Sequence, residues 1–111
     1  MEIFVFGSNL AGRHGKGAAL FARQTHGAKY GVGRGLTGRS YALPTKDKAI
    51  QTLPIQDVEF NVKEFIKFAE EHPEATFNVT KVGCGLAGFS EAQIAPMFRY
   101  APTNCNLPTN W

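Results

Sequence analysis

Short apolar runs alternate along this chain with longer stretches of helical periodicity, and that alternation constrains the fold more than any other feature. Glu2 to Phe6 (EIFVF) is a brief apolar run ending in Gly7, the pattern of a buried strand. After a loop from Gly7 to Gly15, Lys16 to His26 (KGAALFARQTH) is alanine-rich with apolar residues at helical spacing, and Gly27 supplies a natural stop. Tyr30 to Gly38 holds four glycines and is expected to be irregular, whereas Ser40 to Pro44 (SYALP) reads as a second strand ending at Thr45 and Lys46. Val58, Val62, Phe65, Ile66 and Ala69 share one helical stripe with Glu59, Lys63, Lys67 and Glu70 between them, and Pro73 lies just past the end. Ala75 to Val82 (ATFNVTKV) predicts a third strand. Ser90 and Gln93 have capping-box spacing, which predicts a third helix that Pro96 bends or ends early; Asn104 to Leu107 predicts a short last strand.

The order β, α, β, α, β, α, β implies a three-layer α/β fold, a mainly parallel sheet with right-handed crossovers and helices on both faces. Ligands in such folds sit beyond the carboxyl ends of the strands. The residues just after Phe6, Pro44 and Val82 are therefore the expected carriers of function. At 111 residues a single domain over 1–111 is expected, and a hydrophobic content of 43% with nine Phe is enough for a packed core. No run approaches the roughly 18 apolar residues of a membrane span, and the N-terminus lacks a leader pattern, so a cytoplasmic protein without membrane contact is expected. Cys84 and Cys105 form neither a disulfide framework nor a metal-type pair, no His, Cys, Asp and Glu cluster has ligand spacing, and no cofactor is implied.

Net charge is +3, unevenly placed: Arg13 to Lys48 carries eight Lys or Arg and one acid, Asp47, a net of +7, leaving −4 for the rest. A basic front half suits a phosphate-bearing partner, although a solvated basic face would have the same composition.

Two glycine-rich segments follow predicted strands. Gly7-Ser8-Asn9-Leu10-Ala11-Gly12-Arg13-His14-Gly15-Lys16-Gly17 joins the first strand to a helix, where free N–H groups and the helix dipole favour an anion. It is not a P-loop, because Arg13 and His14 stand where Lys and Ser or Thr would be. Gly83-Cys84-Gly85-Leu86-Ala87-Gly88 matches G-x-G-x-x-G between a strand and a helix, yet only 23 residues follow Gly88 and none is the acid that a dinucleotide fold places on a ribose. Two backbone nests facing one crevice would suit a pyrophosphate. Gly85 in particular is expected to need its missing side chain, for positive φ and for close ligand approach.

These segments resemble the macro domains. Ile3 to Ala19 (IFVFGSNLAGRHGKGAA) is similar to the macro-domain strand and loop ending in Asn and a glycine run. Lys81 to Phe89 (KVGCGLAGF) is similar to the later loop that wraps a pyrophosphate, in the version found among ADP-ribosyl-glutamate hydrolases, and Thr103 to Trp111 (TNCNLPTNW) would be a final strand. The resemblance implies an ADP-ribose-like nucleotide, with Gly7, Ser8 and Asn9 beside it and Asn9 near the distal ribose. Gly15, Lys16, Gly17, Ala18 and Gly83, Cys84, Gly85, Leu86, Ala87 and Gly88 would surround the diphosphate, Phe89 would stack beside a ribose, and Thr45 is a further expected ligand-binding residue. The usual early Asp that reads adenine has no counterpart.

In that hydrolase subgroup a Lys after the middle strand acts with an Asp in the glycine loop; Lys46 matches the first, while Ala87 occupies the Asp position. Binding without turnover is therefore the leading expectation, with hydrolysis through Lys46 or His14 second. Cys84 is read either as a nucleophile at a helix start or as a small packed residue. His26 and His72 are expected to meet terminal helix carbonyls, and Phe60, Phe68 and Phe98 to have packing roles only. A nucleic-acid-binding module ranks third, because only Phe21, Tyr30 and Tyr41 interleave with the basic residues.

Overall fold

The computed structural model describes residues 1–111. Its elements are β1 (Glu2–Asn9), α1 (Gly17–Thr25), β2 (Gly35–Thr37), β3 (Ser40–Lys46), α2 (Ile55–Glu70), β4 (Thr76–Val79), α3 (Glu91–Ile94) and β5 (Cys105–Asn106), with a 3₁₀ turn over Ala95–Phe98 continuing α3. The five strands form one sheet in the order β2-β3-β1-β4-β5. β1 runs parallel to β3 and to β4, β4 runs parallel to β5, and the β2–β3 pair alone is antiparallel. No helix is long and apolar enough to cross a membrane.

Side chains alternate across β1, and the two faces acquire cores of different size. Ile3 and Val5 join Tyr41, Leu43, Phe77 and Val79 in a cluster of 15 buried residues, closed by Val58, Val62, Phe65 and Ala69 of α2 and by Ile94 and Phe98. On the other face Phe6 and Ala42 meet Ala19 and Ala22 of α1 in a cluster of five. Alanine at each inward position of α1 lets the helix lie close to the sheet, which is why a nine-residue helix suffices there. α2 begins after Pro54 with Asp57 in its first turn and ends at Glu70, because Pro73 restricts the residue before it.

The structure departs from the periodicity in four places. β1 continues through Gly7, Ser8 and Asn9 instead of stopping at Phe6, because β3 pairs with it as far as Asn9↔Lys46, across an irregularity between Ser8 and Asn9. The glycine-rich stretch expected to be irregular contains β2, and Gly38 at φ 62° starts the two-residue turn that folds β2 onto β3. β4 is shorter than Ala75 to Val82: after Val79 the Thr80 N–H and hydroxyl both donate to the Val5 carbonyl, at 3.1 and 2.8 Å, and the chain leaves the sheet. α3 has the expected capping box, Ser90 Oγ accepting from the Gln93 N–H and the Gln93 side chain accepting from the Ser90 N–H, but is a single turn that Pro96 converts to 3₁₀.

From β1 the chain crosses through α1 to β3 on one side, then returns through α2 to β4 on the other. Strand order therefore reverses at β1, and its carboxyl end is the topological switch point where α/β sheets open a crevice.

Candidate functional site

A cleft of about 870 Å³ opens at that point. Its floor is the ends of three adjacent strands: Gly7, Ser8 and Asn9 of β1, Thr45 and Lys46 of β3, and Thr80 to Gly83 after β4. Gly15, Lys16, Gly17, Ala18 and Ala19 form one wall, and Cys84, Gly85, Leu86, Ala87 and Phe89 form the opposite one. The two glycine-rich segments, distant in sequence, thus border one space. Gly88 stays outside the wall, where its φ of 87° turns the chain toward Phe89.

The backbone supplies most of the chemistry. α1 starts at Lys16 with no side-chain cap, and the N–H groups of Gly15, Lys16, Gly17, Ala18 and Ala19 donate to no protein acceptor. Across the cleft the N–H groups of Gly83, Gly85, Leu86 and Ala87 are equally unengaged, because the loop closes on itself through other bonds: Cys84 N–H to Lys81, Gly88 N–H to Gly85 and Phe89 N–H to Gly83. Unpaired backbone donors at the edge of a sheet and at a helix start are an anion's natural contacts. The two segments approach each other at Gly7, where a Cβ would stand 3.4 Å from the Gly83 nitrogen. Gly85 corrects an expectation: its φ is ordinary and a Cβ there would meet nothing within 4 Å, while positive φ falls on Gly83 and Gly88.

Side chains around the floor hold the loops more than they face the cavity. Ser8 is buried and donates to the Gly33 carbonyl, and Thr45 donates to the Ser8 carbonyl at 3.3 Å. Asn9 uses both ends of its amide on the first loop, accepting from the Arg13 N–H and donating to the Arg13 carbonyl, each at 2.9 Å. Thr52 ties the opposite loop down by donating to the Ala87 carbonyl at 2.9 Å.

Cations dominate the lining: Arg13, Lys16, Lys46 and Lys81 against a single acid, Glu91. Lys81 Nζ lies 3.1 Å from Glu91, whose other oxygen accepts from the Trp111 indole at 2.9 Å. Those bonds, Trp111 first and then Lys81, hold the Glu91 carboxyl below its usual range. Lys46 has no ion-pair partner, and Ala87 offers no carboxylate.

His14 is fully buried and outside the cleft lining, which removes it as a general base or phosphate contact. Its Nε2 sits 3.1 Å from the Val32 carbonyl, its ring meets Phe6 and Tyr30 edge-on, and Nδ1 has no partner. Burial pushes its pKa below the usual value, the Val32 carbonyl opposes this, and the Arg23 charge adds to it. Cys84 is shifted the other way, against a reactive thiolate. Burial and the nearby Glu91 push the thiol up, with Lys81 opposing, and its Sγ lies 3.6 Å from the Val82 carbonyl. His72 meets a helix carbonyl as expected, Phe68 at 2.8 Å, whereas the His26 ring nitrogen pairs with the Thr25 hydroxyl.

Ile50 and Glu91 line the cleft without having been singled out by sequence. Ile50 holds φ 64°, a costly conformation for a β-branched residue, in a turn whose Asp47 carboxylate accepts from the N–H groups of Ala49 and Gln51. An Asp followed by small and polar residues is a turn signal, but nothing in it shows that the turn borders a cleft.

No family model matches the chain, and no curated protein matches it. One solved structure, described as a protein of unknown function from Bacteroides thetaiotaomicron, shares the fold with a TM-score of 0.63 at 17% identity, over 87% of this chain and 77% of that one.

Proposed function

We propose that the cleft binds ADP-ribose or an ADP-ribose-derived nucleotide, with little or no catalysis. The observation that carries this reading is the pair of unengaged backbone N–H rows, Gly15 to Ala19 and Gly85 to Ala87, on opposite walls of one basic cleft. A diphosphate spreads its charge over two groups and can accept from both rows, while Lys16, Arg13 and Lys46, none of them in an ion pair, balance the charge. The macro-domain resemblance of the same two segments supports the nucleotide; the cleft volume leaves room for riboses on either side.

Hydrolysis is the weaker reading. Its candidate amine, Lys46, has no acid partner, Ala87 lacks the carboxylate, and His14 is buried elsewhere. A general acid or base is worth about 10² to 10⁴ in rate, so its absence shows in a time course.

Calorimetric titration tests the binding reading. A saturable one-site isotherm with ADP-ribose is expected, and failure of AMP, ADP-ribose and its cyclic isomers to bind at millimolar concentration rejects it. Single-turnover assays on a glutamate-linked ADP-ribosyl substrate separate the two readings. Little release is expected from wild type, and Lys46→Ala lowers affinity more than any rate; rapid release lost in Lys46→Ala at unchanged affinity would make the protein a hydrolase.

A further inference from the structure

On the flank of α1 an exposed aromatic side chain occurs together with unpaired basic residues. None of the basic residues between Arg13 and Lys48 has an ion-pair partner, since the protein's salt bridge is Lys81–Glu91, and the single acid of that stretch, Asp47, is occupied by its own turn. Of the aromatics within the stretch Tyr41 is buried, Phe21 is half-exposed and tilted against Phe4 and His26, and Tyr30 is 59% exposed. The Arg23 guanidinium lies over the Tyr30 ring, 5.6 Å from its centroid, and is itself exposed. Tyr30 is fixed against the first loop: its ring meets His14 edge-on, and the next N–H, of Gly31, donates to the Gly12 carbonyl at 2.8 Å. Arg13, next to His14, already lines the cleft.

A solvated basic face needs no immobilised aromatic. An exposed ring carrying an arginine, next in the chain to unpaired Lys29 and braced on the His14 loop whose Arg13 and Lys16 line the cleft, supplies the two things a single strand requires, a π-surface for a base and cations for the adjoining phosphates. We infer that the Tyr30–Arg23 pair is a stacking platform for single-stranded nucleic acid, on a basic track that runs from α1 to the mouth of the cleft. Duplex is a poorer fit, because its bases are already stacked and offer no free face to Tyr30. The platform stands independently of what the cleft itself holds.

The test is fluorescence anisotropy of a labelled single-stranded oligonucleotide of about 12 nucleotides at low salt, with a base-free polyphosphate of similar charge as comparator. Wild type is expected to bind the oligonucleotide more tightly than the polyphosphate, with log K falling linearly in log salt. Tyr30→Ala should weaken oligonucleotide binding by about 5- to 150-fold, the range for loss of one stacked base, and leave polyphosphate binding unchanged. Tyr30→Phe, which keeps the ring and its packing on His14, should restore wild-type binding. Arg23→Ala should weaken both ligands and lower the salt slope by about 0.7. ADP-ribose titration of Tyr30→Ala should match wild type, so that failure of the platform and failure of the cleft assignment are told apart. No oligonucleotide binding, equal affinity for polyphosphate, or a Tyr30→Phe variant as weak as Tyr30→Ala would each overturn the inference.

Discussion

The two strand-to-helix turns that wall the cleft look alike in sequence and solve opposite problems. The first delivers the chain to a nine-residue helix that begins with no cap, so its free donors belong to the helix. The second delivers it to a single helical turn whose Ser90–Gln93 box engages the Ser90 and Gln93 N–H groups, so most of its free donors are those of the loop, Gly85 to Ala87. A capping box therefore says two things at once: a helix starts here, and part of its N-terminal donor set is already engaged. The supports differ as well. The first loop is braced by buried His14 and by backbone contact with Gly31; the second is tied down by the Thr52 hydroxyl.

The largest test of this difference is a pair of glycine substitutions. Gly12 has φ 71°, and a Cβ there would lie 2.2 Å from the Gly31 carbonyl carbon, against backbone that cannot turn aside. Gly12→Ala is expected to cost more than about 3 kcal/mol in urea unfolding, since positive φ and a backbone clash act together. Gly85→Ala, with ordinary φ and open space, should stay within about 0.5 kcal/mol of wild type. Equal losses would mean that the second loop is braced as the first is.

His14 makes the first loop pH-sensitive. Its folded pKa is depressed, so the unfolded chain takes up a proton first as pH falls, and stability declines below about pH 6.5. Above that value both states are neutral at this site and its contribution is constant. The slope approaches about 1.4 kcal/mol per pH unit in the window between the unfolded and folded pKa values, and His14→Gln should flatten it. Thermal melts across that range measure it; an unchanged slope in the variant would place the titration elsewhere.

Smaller effects sharpen the contrast between the helix starts. Ser90→Ala removes a cap and should cost about 1 kcal/mol while changing ADP-ribose affinity less than a charge reversal at Lys16 does, because the Ser90 hydroxyl serves the Gln93 N–H. Lys16→Asp supplies the cap α1 lacks and should stabilise the fold by roughly 0.5 to 1 kcal/mol. It should also abolish the calorimetric signal, since the new carboxylate competes for the same N–H groups and repels an anion. Stabilisation without loss of ligand would show that the α1 start is not part of the site.

The α/β class, the existence of α1, α2, β3 and β5, the cap of α3 and the approach of two glycine segments to strand ends were all legible in the chain. Each depends on local chemistry: apolar period, a glycine or proline stop, or a side chain within three residues of the N–H it serves. Fourteen of the proposed ligand contacts, from Gly7 to Phe89, fall on the lining; strand-end position points to that end of the sheet, while the individual residues are those the family resemblance implies.

What the tertiary structure decided is everything that depends on a distant partner. β1 runs on to Asn9 because β3 is beside it, and β2 exists because Gly38 folds it back onto β3. His14 was drawn inward by Phe6 and Val32, and Tyr30 stayed at the surface with Arg23 over it, although both lie in the same basic stretch. Composition assigns those two residues the same neighbourhood. Only packing determines which one is desolvated, because a ring is buried when enough apolar surface converges on it, and that convergence comes from elements far apart in sequence.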